Sequence, residues 1–252
     1  MQFDFTGRVA VVTGGARDIG RGICLKLAEG GADVVVNYFR SDDEAAETVR
    51  MVEAVGGRAV AVQADVTRRG EVDRLVAETR HAFGNDIHIL VNNAGGIIAR
   101  KGFAEIDDAF WDLVMDVNVR SLVYVTQAVL PHMPDGGAIV NNASLAARNG
   151  GGPGAIAYAA SKGTVLTLTR GLAKEFGHRN IRVNCVSPGL NNTTFHDLFT
   201  LAEARRSTAS GTPLRREGTA DEVGAAVAYL ASDAASFITG ASLEINGGLY
   251  FS

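Results

Sequence analysis

The chain has 252 residues, of which 46% are hydrophobic and 21% charged, with a formal net charge of −4. This balance suits a globular protein with a large core, and it excludes the basic footprint of a nucleic-acid binder and the polybasic patch of a membrane-surface protein. Two cysteines, Cys24 and Cys185, exclude a disulfide framework and make a reducing cytoplasm the expected compartment.

Short β-branched runs alternate with longer helical patterns along the chain. Strands are expected at 8–13 (RVAVVT), 33–37, 58–63, 87–92, 137–143, 181–187 and 242–247. Helices are expected near 18–30, 42–55, 68–83, 107–132, 157–177 and 219–232. The strands are apolar throughout, as they must be when helices cover both faces of a sheet. Strand–helix alternation of this kind predicts an α/β fold, a doubly wound parallel sheet of Rossmann type, in one domain spanning 1–252. Its active crevice then lies at the C-terminal ends of the strands. Residues 189–215 exceed an ordinary connection and are expected to form a lid. No run approaches about 18 uninterrupted apolar residues, and the opening residues do not read as a secretory signal.

Three stretches carry chemistry. "TGGARDIG" (13–20) follows the first strand and opens a helix, the context in which backbone N–H groups cradle a phosphate. "YAASK" places Tyr158 and Lys162 one helical turn apart on one face. A phenol near pKa ~10 is a poor proton donor or acceptor at neutral pH, and an adjacent ammonium lowers it. Ser144, at the end of the fifth strand, faces the same crevice. The five histidines, His81, His88, His132, His178 and His196, have no metal-ligand spacing, so no metal is expected.

Together with Asp65–Val66, "NNAG" (92–95), Asn118, "SPG" (187–189) with Thr193, and "ITGASLEINGG" (238–248), these stretches resemble a classical short-chain dehydrogenase/reductase over essentially the whole chain. The resemblance implies hydride transfer between a nicotinamide cofactor and a carbonyl or alcohol carbon. It implies Tyr158 as the acid–base group, with Lys162 lowering its pKa and bonding the nicotinamide ribose. Ser144 would bond the substrate oxygen, and Asn118 would hold a water in a relay to Lys162. For the cofactor it implies Gly14, Arg17, Asp18, Ile19 and Gly20 at the diphosphate. Asp65 and Val66 would meet adenine, and Asn92, Ala94 and Gly95 would line the adenosine and ribose. Pro188, Gly189, Leu190 and Thr193 would touch the nicotinamide. It also implies a homotetramer.

Asp18 stands where the family's TGxxxGxG turn has its second glycine. It is expected to cap the helix, with Arg17 and Arg21 offsetting its charge. At the end of the second strand, where an acid would bond a ribose 2′-hydroxyl, the chain has Tyr38, followed by Arg40 and Ser41. Guanidinium groups favour a 2′-phosphate, hence NADP(H) over NAD(H). Arg100, Lys101, Arg148, His196, Arg205 and Arg206 surround the presumed crevice and lid. They suggest an anionic substrate, and "NTTFHDLFT" resembles the lid of keto-uronate reductases. The alternatives are a 3-oxoacyl-carrier-protein reductase and, from another class, a nucleotide-binding regulator without catalysis. Phe110 and Trp111 are expected to pack in the core or at an interface.

Overall fold

The computed structural model describes residues 3–194 and 199–251. Seven strands form one sheet: β1 (Val9–Val12), β2 (Asp33–Tyr38), β3 (Arg58–Gln63), β4 (Ile89–Asn92), β5 (Ala138–Asn142), β6 (Arg182–Pro188) and β7 (Ser242–Ile245). Their order is β3-β2-β1-β4-β5-β6-β7 and every pair is parallel. The order reverses at β1, which pairs with β2 on one side and β4 on the other. That switch point opens a crevice beyond the C-terminal strand ends.

Helices cover both faces. The first face carries α1 (Asp18–Glu29), α2 (Asp42–Ala54) and the last helix, α9 (Ala220–Ala231). The second carries α3 (Arg69–Phe83), α4 (Asp108–Met115), α5 (Ser121–Val129), the one-turn α6 (Ala146–Asn149) and α7 (Ile156–Phe176). α8 (Ala202–Gly211) lies outside these layers. Strand β1 shows why the strands had to be apolar throughout. Ala10 and Val12 pack with Ile23, Leu27, Val223 and Val227 on the first face. Val11, between them, packs with Val72, Leu75, Val125 and Ile139 on the second. Successive side chains point to opposite faces, and both faces are buried.

Most expected elements fall within a residue or two of their places, and two differ in kind. The helix expected over 107–132 is interrupted by a π segment at Asp116–Arg120 and closes in a 3₁₀ turn at Leu130–His132. Its sequence has the length and composition of a membrane-crossing helix, and here it packs on α3, α7 and β4. The segment expected as a lid, 189–215, contains α8. Phe110 is buried, whereas Trp111 and Leu113 on α4 and Ile156 at the start of α7 are exposed.

Arg182 shows how the last helix is held. It is buried in β6 and donates to the carbonyls of Leu230, Ala231 and Ser232 at the C-terminal end of α9. These carbonyls have no partner further along the helix. Arg182→Ala is expected to lose about 2–4 kcal/mol of stability, because three buried acceptors are orphaned at once. Urea denaturation of the two proteins measures this directly.

Candidate active site

The turn after β1 is bolted from beneath by two asparagines. Asn37, fully buried at the end of β2, accepts from the Gly14 amide (3.3 Å) and donates to the carbonyl of Ala64 (3.1 Å). Asn93 donates to the carbonyls of Thr13 and Gly14, both at 3.0 Å. Thr13 Oγ1 accepts the amides of Asn93 and Ala94. The sequence reading missed Asn37 and Asn93. For Asn37 the signal was a polar amide near the end of an otherwise apolar strand, where only a hydrogen-bonding task justifies burial. Gly20 is required sterically, since a Cβ there would sit 2.0 Å from the Gly14 carbonyl oxygen.

Asp18 does not cap α1. The cap position is Arg17, in extended conformation and without a side-chain bond, and Asp18 is the first helical residue, at φ 51°. Its carboxylate accepts the amide (3.0 Å) and the hydroxyl of Thr194. Arg17 stands 3.8 Å away. Arg21 does not offset the charge: it donates to Thr48 and to the carbonyls of Ala16 and Glu44. Ile19 packs against the first-face core.

On the adenosine side, Val66 is buried, and Asp65 Oδ1 accepts the amide and hydroxyl of Thr67. The Tyr38 hydroxyl donates to Asp42 (3.1 Å). The Arg40 guanidinium lies over the Phe39 ring, 4.6 Å from its centroid. Ser41 precedes α2 without a side-chain cap.

At the other end of the crevice, Tyr158 and Lys162 occupy successive turns of α7, and Ser144 follows β5. Lys162 is buried and Tyr158 half-buried, with opposite consequences for their charge. Burial pushes the Tyr158 phenol up from its ordinary value, and the Ser144 hydroxyl bonded to it pulls it partly back. Burial brings the Lys162 ammonium down to about 8. Lys162 Nζ donates to the Asn142 carbonyl (2.7 Å) and lies 5.8 Å from the centre of the Tyr158 ring. The phenol's pKa is raised overall, and Ser144 is the bonded group that opposes the rise.

Asn118 lies on the π segment, and its side chain is engaged within the chain. Its Oδ1 accepts the Gly96 amide (2.9 Å), and its Nδ2 donates to the carbonyls of Gly96 (2.9 Å) and Val114 (3.0 Å). It clamps the turn after β4. Gly95 lets that turn approach: a Cβ there would meet Asn118 Oδ1 at 2.7 Å and Lys162 Nζ at 3.0 Å.

The crevice between these groups is lined by Thr13, Asn92, Ala94, Asn118, Asn142 and Lys162. Two buried acceptors in it, Asn92 Oδ1 and Asn142 Oδ1, have no partner within the chain. The amides of the first turn of α1, after the glycine turn, and the buried Lys162 ammonium are donors that suit a diphosphate and ribose hydroxyls. Pro188 ends β6, and Leu190 and Thr193 beyond Gly189 are buried near it. The residues present thus fit a dinucleotide. Among the described residues no cluster of three metal-ligating side chains exists.

The basic residues expected around the substrate do not converge. Arg148 pairs with Glu244 (3.1 Å), both largely buried. Arg100 donates to the carbonyls of Phe199 and Pro153, each at 2.8 Å. Lys101 pairs with Asp107, and Arg205 with Glu217. His196 lies outside the described residues.

A short-chain dehydrogenase of Burkholderia cenocepacia, solved in complex with NADP, superposes with a TM-score of 0.90 at 36% identity, covering 97% of this chain and 98% of that one. The family model described as enoyl-(acyl carrier protein) reductase matches residues 14–250. The chain belongs to the short-chain dehydrogenase/reductase family. It is accordingly an oxidoreductase acting on CH–OH and C=O groups. Other short-chain reductases similar to it include the hydroxynaphthalene reductase-like protein Arp2 of Metarhizium brunneum, 36% identical over 96% of this chain and 94% of its own length. The 3-oxoacyl-[acyl-carrier-protein] reductase of Staphylococcus epidermidis is 38% identical over 96% and 98%.

Proposed function

We propose that the chain reduces a carbonyl group with NADPH, Tyr158 giving its proton to the carbonyl oxygen. The observation that carries this is the half-buried phenol bonded to Ser144 with a buried lysine one turn away. At neutral pH the phenol is protonated and so holds the proton that the reduction needs. Ser144 Oγ donates to the same substrate oxygen, and Lys162 places a cation where negative charge develops. A bound reduced nicotinamide supplies the hydride. Gly14, Arg17, Ile19 and Gly20 would hold its diphosphate, with Asp65, Val66, Asn92, Ala94 and Gly95 beside the adenosine and ribose. Pro188, Gly189, Leu190 and Thr193 would flank the nicotinamide. Asn118 fixes the turn that carries Gly95. A regulator without catalysis has no use for this buried set.

Two features support NADP(H) over NAD(H). Arg40 and Arg17 flank the 2′ position, and the nearest acid, Asp42, is occupied by Tyr38. Arginine suits a phosphate dianion there. For the carbonyl compound, the engagement of Arg148 and Arg100 within the protein favours a 3-oxoacyl thioester over an open-chain keto-uronate, which would need a free cation. The family's homotetramer and a cytoplasmic location belong to the same reading, and exposed Trp111, Leu113 and Ile156 are suited to a subunit contact. The deciding assay follows NADPH and NADH oxidation with acetoacetyl thioester and a keto-uronate side by side. Faster NADPH use with the thioester is expected; a strong preference for the uronate would overturn the substrate reading, and no turnover with any carbonyl would overturn the function.

A further inference from the structure

We propose that Asp18 is a positioning residue that fastens the segment after Gly189 to the cofactor turn through Thr194, and so governs how fast the dinucleotide leaves. The inference rests on the reading of the turn as a dinucleotide site. Three observations carry it. Asp18 holds a left-handed φ of 51° that side chains rarely adopt, at a place where glycine would adopt it freely. Its carboxylate is engaged by both polar groups of Thr194, the backbone amide and the hydroxyl, across 176 positions of sequence. The base of the same segment is fixed separately, by the Asn191–Gly218 bridge and by the Asn192 amide on the Gly218 carbonyl (2.9 Å). Thr194 is therefore the point at which the segment meets the turn.

This contact also answers why an acid is tolerated beside a diphosphate. Two donors from Thr194 and a guanidinium at 3.8 Å partner the carboxylate, and neither contact uses the amides of the first turn of α1, which are left to the phosphates. Thr193, the neighbour of Thr194, is buried on the nicotinamide side. The Asp18–Thr194 contact thus links the diphosphate end of the crevice to its nicotinamide end. Dissociation of the dinucleotide requires the two to separate.

The test compares wild type, Asp18→Asn, Asp18→Gly and Thr194→Val. Asparagine keeps an acceptor oxygen and removes the charge, so it separates the contact from simple repulsion of phosphate. Glycine removes the contact and suits the φ value, so the turn still folds. In the protein without cofactor, amide hydrogen exchange at Thr194 is expected to rise about tenfold in Asp18→Gly and less in Asp18→Asn and Thr194→Val. In stopped-flow fluorescence, NADPH is expected to leave Asp18→Gly about tenfold faster than Asp18→Asn, because only asparagine keeps an acceptor for Thr194. Equal exchange in wild type and Asp18→Gly, or equal release from the glycine and asparagine variants, would overturn the proposal. Failure of wild type to bind either dinucleotide would instead sink the functional reading, and the role of Asp18 with it.

Discussion

Tyr158→Phe is expected to slow carbonyl reduction by about 10³–10⁴-fold while leaving the fold and cofactor binding in place. Phenylalanine keeps the ring, and the ring fills the same half-buried space on α7. What is lost is one hydroxyl, the group bonded to Ser144. Among the described residues of the crevice, neither remaining candidate can replace it. Ser144 is too weak an acid, and the Lys162 ammonium donates to the Asn142 carbonyl. Single-turnover reduction by pre-bound NADPH would isolate the chemical step, and cofactor titration by fluorescence would show that binding survives. Turnover within tenfold of wild type would remove Tyr158 from the proton-donor role.

Lys162 supports the second large effect, and here function and stability pull in opposite directions. Burial lowers its pKa from 10.5 to about 8 in the folded protein. Below pH 8 the lysine is charged in both states, and the folded state bears the full cost of a buried cation. Between 8 and 10.5 the unfolded chain binds more protons than the folded one, so stability rises with pH. Above 10.5 lysine is neutral in both and the cost is gone. Lys162→Met is therefore expected to stabilise the cofactor-free protein by roughly 3 kcal/mol at pH 7, with the gain vanishing near pH ~10.5. Urea unfolding at pH 7 and at pH 10 reads this as a difference between two midpoints. The same substitution is expected to cut turnover by about 10²-fold or more, because the cation beside the developing charge is lost. The pH–rate limb in the oxidative direction, which reports formation of the phenolate, is expected to move to higher pH. A methionine variant that was no more stable than wild type at pH 7 would mean that Lys162 is not held charged in a dry site. Retention of an ion that costs stability is what a functional site does.

The sequence determined the layered sheet by itself. Runs such as Val9–Val12 and Val34–Val36 are apolar on every residue, and only a strand covered on both faces needs that. The sequence also placed Tyr158, Lys162 and Ser144 in one crevice, because helical spacing and a strand end are local properties. Side-chain partners were a different matter. The pairing of Arg148 with Glu244, and the clips from Arg100 to Phe199 and Pro153, join positions that spacing cannot relate. The tertiary structure turned these expected substrate ligands into structural contacts. It also set Asn118 on a π segment packed against α7 and made its side chain a clamp on Gly96. Asp18 shows the division most clearly. Its residue type and its place before a helix pointed to a cap, which is a local device. Its φ value and the arrival of Thr194 from the far end of the chain made it a tether. Local chemistry is written in neighbouring residues, whereas the partner of a buried charge is chosen by the fold that brings distant segments together.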